Sequence, residues 1–147
     1  MKKIFIFLLA CIACVACGPK KVELTEVQLN AREFLPELQE HLAEVENDLY
    51  IFAEQNPEIS FNEEEEDYVF AKAELFALLS AKLCAKECKM SDSAVELYDL
   101  YIYLQALKVS ALEVPLNPQK EKLAEKIISV CKYRRAVSAL EDWAGNF

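Results

Sequence analysis

Apolar residues recur with helical period along nearly the whole chain from Leu24 to Trp143. In the first segment Ala31, Leu35, Leu38, Leu42, Val45, Leu49 and Phe52 follow one another at alternating spacings of four and three, an unbroken heptad seam. Thr25 is its expected N-cap and Asn56-Pro57 its end. Pro36 lacks the N–H that would bond to the carbonyl of Arg32, so a kink or a split is expected there. Asn62, followed by Glu63 to Glu66 and Asp67, announces a second helix to about Lys89. Its predicted inner arc holds Val69, Phe70, Ala73, Phe76, Ala77, Leu83, Cys84 and Cys88. Ser91 or Asp92 caps a third helix to about Leu112. Pro118 opens a fourth, which runs to about Trp143 around Leu123, Ala124, Ile127, Ile128, Val130, Cys131 and Val137. Short connections favour antiparallel neighbours, so the expected fold is all-α: an antiparallel up-and-down bundle of about four helices. No tetratricopeptide-like repeat of about 34 residues is apparent, which ranks a solenoid second.

The third helix differs from the others because it carries two apolar seams. Leu97, Leu100, Leu104, Leu107 and Ala111 form one; Val95, Tyr98, Ile102 and Val109 form the other, roughly 170° away at 100° per residue. A helix in a simple bundle buries one arc. Leucine suits a core, having well-defined rotamers and no polar atoms, whereas tyrosine among β-branched residues suits an interface. The expectation is therefore a leucine seam facing inward and Val95, Tyr98, Ile102 and Val109 forming a protein contact surface, the alternative being that the kinked first helix covers this second seam within the same chain.

Composition removes several function classes. Among 147 residues there are two glycines, Gly18 and Gly145, so phosphate-cradling loops and glycine hairpin turns have no place to form. The single histidine, His41, lies between Glu40 and Glu44 with no nucleophile or orienting partner nominated, which fits a solvated or edge-packed residue better than a general base. The acidic run after Asn62 is what the positive end of a helix dipole favours, and it has no turn-forming glycine of a calcium loop. Neither a cofactor nor a metal is expected, and the chain reads as non-enzymatic.

Residues 1 to 17 read MKKIFIFLLACIACVAC: Lys2 and Lys3 precede an uncharged apolar run that ends at Cys17 and is followed by Gly18-Pro19. This is the layout of an export signal, too short to span a bilayer, which needs about 20 apolar residues. Ending in cysteine, it resembles the lipobox leader of bacterial lipoproteins, in which the chain is cut before a cysteine that becomes lipidated. Leu8-Leu9-Ala10-Cys11 fits the lipobox best in letters but leaves a stunted leader. Cys14 and Cys17 each follow a small alanine, and Cys17 is chosen because the apolar run stops there. The resemblance covers the leader alone. It implies a signal peptide over 1–16, a lipidated tether over 17–23 and one helical domain over 24–147, held by its lipid in the bacterial cell envelope, at the outer membrane or the periplasmic face.

Cleavage there removes two of 16 basic residues and none of the 25 acidic ones, leaving a net charge of −11. Such a domain repels phosphate backbones and anionic headgroups, so nucleic acid is not an expected partner and membrane attachment falls to the lipid.

Three further residues invite chemistry. Arg134 lies on the apolar arc of the last helix and must find a carboxylate or reach out to water. Counting levels down the second helix, up the third and down the fourth points to an ion pair with Glu87. The same count brings Cys131 near Cys84, a disulfide pairing that an oxidising compartment permits, although a square bundle would set the two helices on a diagonal. The expected function is a lipid-anchored, non-enzymatic domain that binds an envelope protein or a second copy of itself. The alternative is a ligand pocket around Arg134 with Glu87, Tyr98, Tyr101 and Tyr103.

Overall fold

The computed structural model describes residues 23–145. The leader, Cys17 and nearly all of the tether lie outside the described residues. Four helices account for the described chain: α1 (Glu26–Gln55), α2 (Glu63–Glu87), α3 (Asp92–Leu112) and α4 (Pro118–Ala144), with no strand among the described residues.

Each start is fixed by a side chain that satisfies an otherwise unpaired N–H. Thr25 and Gln28 form a reciprocal capping box before α1, as do Asn62 and Glu65 before α2. Ser91 caps α3, and Asn117 caps α4 with Pro118 in the first turn. Pro36 lies inside α1 without dividing it, so of the kink or split expected there the split does not occur. The two buried residues of α1, Ala31 and Leu35, flank that turn and hold it against its neighbours. After Cys88, Lys89 takes φ 60°, the left-handed conformation that reverses the chain within two residues, and its ammonium pairs with Glu26 at 2.8 Å.

Directions follow from contacts between helices. Arg32 Nε donates to the carbonyl of Ala144 (3.0 Å) and Lys126 pairs with Asp48 (3.2 Å), so α1 and α4 are antiparallel. Gln105 Nε2 donates to the carbonyl of Ala71 (2.9 Å) and Lys82 pairs with Asp99, so α2 and α3 are antiparallel. Lys120 meets Glu65 (2.6 Å) and Arg135 meets Glu74, so α2 and α4 are parallel. Hydrogen bonds from Lys120 and from the Asn62 backbone hold the Glu65 carboxyl below its ordinary range. This is the expected up-and-down bundle. Its cross-section, however, is not a square: α4 packs between α1 and α2, and α3 packs on α2, so the spatial order is α1, α4, α2, α3.

Alanine makes the α2–α4 contact close. Ala73, Ala77, Ala81 and Ala85 recur every four residues on α2, each at most 2% exposed, and Ala124 and Ala136 answer them from α4. The largest buried cluster joins Ala31 and Leu35 of α1, Cys84 and Cys88 at the end of α2, and Ala136, Val137, Leu140 and Ala144 of α4. Phe70 and Leu83, expected on the inner arc of α2, are instead 52% and 62% exposed. The narrow alanine ridge faces α4 and leaves both side chains beside it rather than under it.

Candidate functional site

None of the residues of α3 is buried. The two seams are nevertheless in different environments, and the assignment is the reverse of the one expected. Val95, Tyr98, Ile102 and Val109 are half-buried against α2, while Leu97, Leu100, Leu104 and Leu107 are 49%, 52%, 53% and 53% exposed. Two polar residues explain the choice. Asp99 and Gln105 border the β-branched seam on its two sides, and both have partners on α2: the Lys82 ammonium and the Ala71 carbonyl. Turning the leucines inward would break both contacts and swing the two groups out to water, giving up bonds that the observed orientation keeps. Burial pushes the Tyr98 hydroxyl above its ordinary range against the opposing field of Arg135, which agrees with an inward-facing phenol.

The outward face therefore consists of Leu97, Leu100, Leu104 and Leu107 with Tyr101 (48% exposed) and Tyr103 (62% exposed) on its borders. Adjacent exposed apolar residues elsewhere come in shorter groups, such as Leu79 with Leu83 on α2 and Tyr50 with Ile51 near the end of α1. A continuous stripe of this length over three helical turns is uncommon on a monomeric surface and marks contact sites.

Beside it, a groove of about 580 Å³ runs between α2, α3 and the middle of α4, lined by Glu74, Leu78, Tyr98, Tyr101, Leu104 and Arg135 among others. Its cations are Arg135 and Lys108, not Arg134. Arg135 is neutralised by Glu74 across the α2–α4 contact. Arg134 points to the other side, where it pairs with Glu46 of α1 at 3.0 Å and keeps its side chain 66% exposed. The expected Glu87–Arg134 pair is not formed, and Arg134 does not line the groove. Tyr103 is also outside the groove.

The cause is a shift in level. The segment from Glu113 to Asn117 is not helical, and extended residues advance about 3.3 Å each where helical ones advance about 1.5 Å, so α4 starts lower along α2 than a count of turns suggests. Lys120 thus lies beside Glu65, and Glu74 acts on Cys131. Cys84 packs in the cluster that holds Leu140, nine residues along α4 from Cys131, an axial offset of about 14 Å. Cys84, Cys88 and Cys131 are all free, which corrects the Cys84–Cys131 pairing. Burial raises all three thiols, Cys84 to about 11, with Glu87 adding to the shift at Cys84 and Cys88; thiolate chemistry at neutral pH is suppressed.

His41 is an edge residue of the α1–α4 contact. It lies 3.6 Å from Glu37 and 3.5 Å from Glu44, with the Tyr133 ring 5.7 Å away. Among the described residues there is no group of three or more His, Cys, Asp or Glu side chains placed to hold a metal ion, and no helix long and apolar enough to cross a membrane.

No protein-family model, curated protein or solved structure matches this chain.

Proposed function

We propose that this chain is a lipid-anchored, non-enzymatic domain of the bacterial cell envelope that binds protein through the outer face of α3. The observation that carries the reading is the exposed stripe Leu97, Leu100, Leu104 and Leu107 on a helix that already has a second seam to hold it on α2. A helix with one seam for its own domain and one free has what a helix-to-helix docking surface requires: apolar anchors at i, i+3, i+7 and i+10 within a border of tyrosines. The anchor rests on the lipobox-like leader ending at Cys17. The high acidity of the mature chain argues for protein rather than nucleic acid as the partner.

The test places a photoreactive amino acid at position 104, or at position 102 as a control, in the full chain inside cells. Position 104 is expected to yield a protein adduct in the membrane fraction and position 102 none. Adducts at neither position contradict the binding face. An adduct that fractionates away from membranes contradicts the anchor.

A further inference from the structure

We infer that the occupant of the α3 face is a second copy of the same chain, paired α3 to α3 about a two-fold axis near Leu104. The inference rests on the protein-binding reading and names the partner. Three properties of the face support it.

The first is spacing. Leu97, Leu100, Leu104, Leu107 and Ala111 alternate in steps of three and four, the a and d positions of a coiled-coil seam, which packs as knobs into the holes of a helix bearing the same pattern. The face is its own complement, as a two-fold contact requires.

The second is area. Four leucines and two tyrosines, each about half exposed, offer on the order of 600 Å² per copy. Two copies together can bury up to about 1,200 Å² through this face, which reaches the lower edge of the range for specific, stable protein contacts, about 1,200 to 2,000 Å².

The third is charge. Although the mature chain is strongly acidic, the seam itself carries no ionised group. Glu96 lies at one end of one border and Lys108 at the other end of the opposite border. A two-fold axis through Leu104 therefore sets Lys108 near a tyrosine, Tyr101 or Tyr103, of the other copy, whichever way the helices run, and brings no like charges face to face. The remaining acidity of the two copies repels over longer distance, where salt screens it, so pairing of like chains tightens as salt rises. Docking on a basic partner would weaken.

Sedimentation of the full chain in density-matched detergent decides the matter. At about 100 μM, above the micromolar Kd that a modest interface of this size can give, particles are expected to contain two chains, and more of them at high salt than at low. The Leu100→Glu/Leu104→Glu variant is expected to contain one chain with unchanged helical circular dichroism, because both side chains are more than half exposed and neither belongs to the seam that holds α3 on α2. Native chains that stay single, or paired chains unaffected by the double substitution, overturn the inference. Single native chains that still give a position-104 adduct of a different protein in cells leave the binding face standing without the self-pairing. Single chains with no adduct overturn both.

Discussion

Replacing Leu140 with alanine is expected to lower the stability of the domain by about 2–5 kcal/mol, the largest effect of any single truncation in this fold. Leu140 is fully buried where α1, the end of α2 and α4 meet. Several of the residues around it are small: Ala31, Ala136 and Ala144, with Cys84 and Cys88. Alanine has no rotamer, and cysteine only a short one, with which to fill the space that a leucine leaves, so the cavity closes incompletely and the loss belongs in the upper half of the range. For a domain of this length that amounts to a fall in melting temperature of roughly 10–20 °C, read by thermal circular dichroism. A fall of only a few degrees would mean that α1 does not close over the end of α4 as described.

The second large effect is a contrast between two neighbouring positions. Ile102→Glu is expected to destabilise by about 1–3 kcal/mol, because it sets a carboxylate against the apolar surface of α2 between the contacts made by Asp99 and Gln105. Leu104→Glu, two residues on and about 160° round the helix, is expected to change stability by no more than about 0.5 kcal/mol at concentrations where chains are single. Urea unfolding of the two variants at sub-micromolar concentration reads both. Equal losses would mean that α3 is covered on two sides within one chain, and the reverse order would restore the leucine seam to the core.

Much of this architecture is written in local chemistry. Thr25, Asn62, Ser91 and Pro118 mark the helix starts because capping depends on a few adjacent residues, and the structure uses all four. The double seam of α3 is likewise visible from periodicity. Which seam faces inward is not, because hydrophobicity favours leucine while the decision lies with Asp99 and Gln105, two polar residues whose partners are on another helix. Their position on either side of the Val95, Tyr98, Ile102 and Val109 arc is the signal that could have found it. The level of α4 against α2 escaped for a different reason: it depends on how far the non-helical stretch from Glu113 to Asn117 travels, and that moved Arg134 to Glu46 and brought Arg135 to Glu74. Half of the alanine ridge, Ala73 and Ala77, was legible on the inner arc; Ala81 and Ala85 escaped because alanine carries little hydrophobic weight, although the four-residue spacing continues through both.

If protein covers Leu97, Leu100, Leu104 and Leu107 in the envelope while the domain itself covers Val95, Tyr98, Ile102 and Val109, only the leucines change accessibility when the chain leaves the membrane. Carbene footprinting of native membranes beside the diluted, purified full chain measures both seams at once. Labelling of the four leucines is expected to rise several-fold on dilution, with the other seam weakly labelled in both samples. Leucines labelled equally in membranes and in dilute solution would contradict the account.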